Sequence, residues 1–259
     1  MPSSGRTSTD AANGGTRRAS LPKRFYSQVA IKDEGRGGAS LLLDGRPVRT
    51  PGKAPLVLPN RALAETIAEE WRRQGERIDP EMMPLTRLAN SVIDGVRGHE
   101  DTVIYDILGY ADSDLVCYRA EGPEQLVVLQ AKHWEPIVAW ATSDLEAPMV
   151  LAQGVMPVEQ PQASLDAIKR RLEGFDPFSL AALHVMTRLT GSALLALAVV
   201  QGRLSPEEAW GAAHVDEEWQ ISQWGEDDEA RVRRANRWRD FAAAARFGQL
   251  LVVSARPRP

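Results

Sequence analysis

The spacing of apolar residues changes character once along the chain. From Phe25 to Leu58 the period is short: FYSQVAI alternates, ASLLL follows the glycine-rich Gly35-Arg36-Gly37-Gly38, and RPVRT and PLVL flank Pro51-Gly52-Lys53. Alternation puts successive side chains on opposite faces of a strand, and Asp44-Gly45 suits the positive φ angles of a tight hairpin. These segments predict a small antiparallel β unit. Such a sheet is marginal by itself and needs cover. The next stretch predicts that cover: Asn60 can cap a helix with Leu63, Ile67 and Trp71 at i, i+4 and i+8, ended by Gly75.

Beyond the loop from Asp79 to Pro84 the period is helical almost to the end. Leu85, Leu88, Ala89, Val92, Ile93 and Val96 form one stripe, and a second helix is expected from about Leu126 into Trp140 despite Pro136. Residues 148–163, rich in Pro and Gln, are expected to be irregular. Asp176-Pro177 supplies a cap and a proline at the first helical position for FSLAALHVMTRL, which Gly191 interrupts. In Ser205-Pro206-Glu207-Glu208, Ser205 can cap and Glu208 can complete a capping box. The last helix is expected from about Asp227 to Leu251, with pairs Asp227–Arg231 and Glu229–Arg233 and a buried face of Val232, Trp238, Phe241 and Ala245. The predicted class is α+β: a disordered leader over 1–22, a small N-terminal antiparallel β-rich domain with one covering helix over 23–84, a larger all-helical domain over 85–251, and a tail over 252–259.

Composition narrows the function classes. A chain of 259 residues, 43% hydrophobic, can bury the cores of two modest domains. Its formal charge of −4 and pI near 5.7 argue against the broad basic surface of a nucleic-acid binder. Cys117 is the only cysteine, so no internal disulfide and no multi-thiolate metal site can form. The most apolar window, SALLALAVVQ at 192–201, is about half of the ~20 residues a membrane-spanning helix needs and reads as a buried helix. Residues 1–24 carry Arg6, Arg17, Arg18, Lys23 and Arg24 against Asp10 alone, without the apolar run of a secretory signal. That segment suits a bacterial cytoplasmic protein; a mitochondrial transit peptide, and hence a matrix protein, is the alternative.

Known catalytic signatures are missing. There is no G-x-x-x-x-G-K-[ST] loop, no G-x-S-x-G elbow and no H-E-x-x-H, and His99, His133, His184 and His214 are scattered. The chain is therefore expected to have no catalytic residues, cofactor or metal of its own. Two acidic groups, Asp216-Glu217-Glu218 and Glu226-Asp227-Asp228-Glu229, flank the aromatic Trp219 and Trp224. Paired carboxylates can hold a divalent cation or act as acid and base, or they can be the solvated ends of two helices. Seven tryptophans are a heavy load, and Trp is the side chain most enriched at binding hot spots, so Trp219 and Trp224 are candidates for an interface.

Several long strings carry a resemblance. KRFYSQVAI at 23–31, LLLDGRPVRTP at 41–51, and LPNRALAETIAEEWRRQGERIDPEMMPLTRLANSVID at 58–94 lie in the first third; YADSDLVCYRA at 110–120, DPFSLAALHVMTRLTGSALLALAV at 176–199, and AWGAAHVDEEWQISQWGEDDEA at 209–230 follow. Over about residues 23–250 the chain resembles the assembly-chaperone family for the α subunit of F-type ATP synthase. The resemblance implies a β-rich N-terminal domain joined to a helical one, and a soluble monomer that binds newly made α subunit and shields it from aggregation before the α/β hexamer forms. It also implies that an acid of the EEWQ segment matters, Glu217 or Glu218, with Asp216, Trp219 and Trp224 beside it. Arg46 and Arg49 are either part of a groove or exposed hairpin arginines. The alternatives are a metal-dependent enzyme using the acids of 216–229 and an adaptor of another complex.

Overall fold

The computed structural model describes residues 21–35, 37–154 and 158–255, with no account of the side chains of 252–255. Contacts divide the chain into two compact units. One holds the described chain up to Arg49 together with Pro55–Arg87; the other holds Thr50–Ala54 and the chain from Leu88 onward.

In the first unit, β1 (Val29–Gly35) and β2 (Gly38–Leu43) pair antiparallel with Val29 opposite Leu43, and the register shifts between Asp33 and Gly35. The other side of β2 pairs with β3 (Arg46–Pro47) and β4 (Val57–Leu58). The Asp44-Gly45 turn has positive φ at both residues, 47° and 78°, as the sequence anticipates. The Asp44 carboxylate also accepts from the amides of Ser27 (3.1 Å) and Gln28 (2.7 Å), which fixes the entering chain against the turn. Helix α1 (Arg61–Arg72) begins with the Leu63 amide donating to Asn60 Oδ1 at 2.8 Å and covers the sheet with Leu63 and Ile67, both fully buried beside Leu41 and Leu58. It ends at Arg73, two residues before the expected Gly75, and Trp71 is only half-buried.

Leu21 and Pro22, assigned above to a disordered leader, are held in place: their carbonyls accept from Arg77 and from the Ile78 amide. Residues 1–20 of that leader, and 256–259 of the expected tail, lie outside the described residues. Glu70 lies under the next helix, α2 (Pro84–Ser91), where its carboxylate accepts from the amides of Leu85 and Thr86, each at 2.8 Å. Burial raises its pKa in spite of those bonds.

The second unit is helical. It contains a π turn over Val92–Val96, α3 (Glu100–Asp112), β5 (Tyr118–Arg119), α4 (Glu124–Asp144), β6 (Ala152–Gln153), α5 (Gln162–Glu173), α6 (Pro177–Thr190), α7 (Ala193–Val200), α8 (Pro206–Ala213), α9 (Val215–Trp224) and α10 (Asp228–Ala255). At its centre is α7, buried at every residue and packed by α3, α4, α6, α8 and α10. Asp176, Ser192 and Ser205 cap α6, α7 and α8, and the capping box of Ser205 and Glu208 is complete. Gly191 ends α6 in the left-handed region at φ 71°. The Thr50–Ala54 excursion is held by Asp94, whose carboxylate accepts from Thr50 Oγ1 (2.6 Å) and the Gly52 amide (2.9 Å). A Cβ on Gly52 would stand 2.7 Å from that carboxylate, so a side chain there would push Asp94 out of its bonds to the excursion.

Three local expectations need correction. Residues 148–163 are not wholly irregular, because β6 pairs in parallel with β5 and α5 begins at Gln162. Asp227 does not pair with Arg231. Its carboxylate accepts from the Ala230 amide at 2.8 Å and caps α10, and Arg231 reaches Asp228 at 2.7 Å; the Glu229–Arg233 pair does form, at 3.4 Å. Phe241 and Ala245 are buried and Trp238 half-buried, but Val232 is 57% exposed, because that part of α10 has no core against it.

Candidate functional site

The residues singled out by the acids and tryptophans fall on α9, a helix that buries only Val215. Its entry is set by His214, which ends α8. The His214 ring lies 3.9 Å from the Trp210 ring, and its Nδ1 donates to the Trp210 carbonyl at 2.8 Å, since a carbonyl can only accept. Burial lowers the His214 pKa, so the imidazole stays neutral near pH 7.

The three acids that follow point to different partners. Asp216 accepts from Gln130 Nε2 at 2.7 Å, and Gln130 Oε1 in turn accepts from the Ala120 amide at 2.8 Å, so this carboxylate ties α9 to α4 and to the chain after β5. Glu217 has an oxygen 3.9 Å from His214 Nε2. Glu218 reaches across to Arg234 of α10 at 2.6 Å, a partly solvated pair worth little to stability. Trp219 packs its face on the core of the unit, and Trp224 meets it edge to face at 5.7 Å while remaining 76% exposed. Asp216 is thus largely a tether; Glu217, Glu218 and Trp224 lie on the outer side of the helix.

The second acidic group serves the start of α10, where Asp227 caps and Asp228 and Glu229 pair with arginines one turn on. Among the described residues, no three His, Cys, Asp or Glu side chains converge as a metal site would require, so the acids of 216–229 give the metal-enzyme alternative no support. Cys117 is no nucleophile either: burial, helped by Asp114, pushes its thiol up to about 12. His184 faces Asp106, not a second histidine.

Sequence reasoning missed the neighbourhood of Glu218. Trp210 and Trp238 lie edge to face at 5.4 Å on the floor of an open hollow of about 410 Å³, with Glu207, Glu226, Arg231 and Arg234 around it. Arg234 is sixteen residues from Glu218, outside any helical spacing, so only the fold brings them together. An exposed aromatic tip, two outward acids and an adjoining apolar floor rimmed by both charges can grip a polypeptide surface; they do not assemble a nucleophile with its base.

Comparison with known proteins agrees with that class of molecule. Residues 23–142 match the family model described as ATP12 chaperone protein. The crystal structure of Atp12 from Paracoccus denitrificans is similar to this chain at 44% identity and a TM-score of 0.84, covering 88% of this chain and 98% of that one. The Atu1473 protein of Agrobacterium tumefaciens is 49% identical with a TM-score of 0.86, covering 89% and 87% of the two chains. The mitochondrial protein atp12 of Schizosaccharomyces pombe is 22% identical over 220 residues, 80% of this chain and 75% of that protein. The architecture is that of these solved chaperone-family structures. The chain belongs to the ATP12 chaperone family, which its sequence strings anticipate, with the expected α+β architecture. Among the described residues no helix is long and apolar enough to cross a membrane.

Proposed function

We propose that the protein assists assembly of F-type ATP synthase by binding the unassembled α subunit and shielding its assembly surface until the proper neighbour displaces it. An orphan ring subunit exposes an obligate interface that commonly exceeds about 2,000 Å² and is largely apolar, which invites self-association. A monomeric helper covering part of it holds the subunit in solution, and the sequence carries no phosphate loop with which to spend a nucleotide. The observation that carries this reading is α9: a helix with one buried residue, tied down at Asp216 and by Trp219 against the core, and presenting Glu217, Glu218 and the exposed Trp224 outward. Those five residues form the proposed contact, with the two glutamates as the acids that recognise the client. Membership of the family supports the chaperone class, and relatives from bacteria and from mitochondria suit either a bacterial cytoplasm or a mitochondrial matrix.

Co-expression with α subunit alone tests the proposal. Soluble α should rise, and a one-to-one complex should elute on gel filtration. Equal precipitation of α with and without the protein would overturn it. Recovery with assembled ATP synthase but never with free α would instead favour an adaptor.

A further inference from the structure

We propose that the N-terminal unit carries a second recognition site, a groove that takes an extended polypeptide segment bearing carboxylates between apolar side chains. The groove is an open hollow of about 560 Å³ beside the Asp44-Gly45 turn, far in sequence from α9, and Phe25, Tyr26, Trp71, Arg46 and Arg49 are among its walls. One side is an aromatic ladder: Phe25 meets Tyr26 edge on at 5.4 Å, Tyr26 meets Trp71 at 5.6 Å, and the Tyr26 hydroxyl donates to the Trp71 carbonyl at 2.7 Å. Phe25, at the outer end, is 71% exposed. A large apolar side chain left in water beside a hollow is a place for another apolar side chain to settle.

The polar groups of the hollow state what else the occupant brings. The carboxylate in its wall, Asp44, already accepts from the amides of Ser27 and Gln28 and from the Ser27 hydroxyl. The cation that remains available is Arg46, whose side chain is exposed and forms no hydrogen bond or ion pair among the described residues, while the positive charge of Arg49 stands in the same wall and the Arg24 guanidinium, donating to the Tyr26 and Gln74 carbonyls, lies 4.6 Å from the centre of the Tyr26 ring. The Trp71 indole Nε1 is shielded from solvent and meets no acceptor. An exposed guanidinium without a partner, in a wall of net positive charge beside an exposed aromatic, calls for an acidic, partly apolar strand. A small anion would leave Phe25 uncovered, and the chain as a whole is acidic, which disfavours a nucleic acid.

The test is a titration of the full-length, ¹⁵N-labelled protein with an N-acetylated, C-amidated hexapeptide that alternates aspartate with leucine and phenylalanine. The Trp71 indole signal is assigned by its loss in Trp71→Phe. Saturable shifts are expected in that signal and in the amides of Arg46, Val48 and Arg49, weakened at least about tenfold by Arg46→Glu and less by Arg46→Gln. The proposal is overturned by the absence of shifts, by equal binding of the same peptide with lysine for aspartate, by preference for an oligothymidylate, or by binding that survives Arg46→Glu in a protein of unchanged circular dichroism. No α subunit is present in this titration, so its outcome is separate from that of the client proposed above.

Discussion

Helices α7 and α9 have nearly the same length, eight and ten residues, and belong to the same unit, yet they are attached to it by opposite means. Every residue of α7 is buried, and its polar ties gather at the N-terminus, where the Asp114 carboxylate accepts from the Leu194 amide and Ser192 Oγ from the Leu195 amide, each at 3.0 Å. In α9, Val215 alone is buried; the rest is held by the Asp216–Gln130 bond, the Glu218–Arg234 pair and the inner face of Trp219. Apolar burial contributes about 25 cal/mol per Å² removed from water, whereas partly solvated polar ties contribute at most about 1 kcal/mol each. Damage to α7 should therefore appear as lost stability, and damage to α9 as lost binding by a protein that still folds.

The strongest way to break that contrast is Leu197→Ala in α7. A fully buried leucine replaced by alanine leaves a cavity, and about 2–5 kcal/mol of unfolding free energy should disappear in a urea titration. Capture of α subunit per folded molecule should not change.

Next in size is the pH dependence set by Asp114. Burial raises its pKa to about 6 from 3.8, against the hydrogen bonds it accepts. Because the folded-state value lies above the unfolded one, the stabilisation is fully present below pH 4 and is lost as pH rises through about 6. A shift of that size corresponds to roughly 3 kcal/mol. Asp114→Asn should remove this share of the difference in unfolding free energy between pH 4 and pH 7. Parallel pH profiles for the two proteins would show that the buried carboxylate carries no such burden.

A smaller loss, about 1 kcal/mol, is expected for Ser205→Ala, which opens the capping box of α8 without touching α9; differential scanning calorimetry would resolve it. Smallest in stability is Glu218→Lys, at under about 0.5 kcal/mol, since the position is exposed. Its proposed effect is on function: circular dichroism should be unchanged while recovery of the complex with α subunit falls. Undiminished recovery would remove Glu218 from the contact.

What the sequence shows and hides follows from range. Signals that act within one turn were legible: Asn60, Asp176 and Ser205 cap helices, and Asp44-Gly45 turns the hairpin. The apolar run of α7 was legible as a buried helix because it has no polar face. Periodicity misled where the core ends, as at Val232, because an apolar residue at the right spacing still needs something to pack against. Asp114 meets Leu194 across 80 residues, Asp216 meets Gln130 across 86, and β5 meets β6 through two residues each; nothing local marks any of them. The site is legible in the same uneven way. Its acids and tryptophans stood out as residue types, but which acid is a tether and which faces outward depends on Gln130, His214 and Arg234.

The clasp of Asp94 on Thr50 and Gly52 bears on how the molecule can be cut. Thr50–Ala54 belongs to the helical unit although the chain on both sides of it belongs to the β unit. A truncated fragment ending at Arg87 would carry this excursion away from the carboxylate that holds it, with the Gly52 amide and the Thr50 hydroxyl left to water. Dissecting the protein at the visible boundary therefore yields an N-terminal piece with a loosened loop, whereas a fragment that keeps Asp94 retains both ends of the clasp.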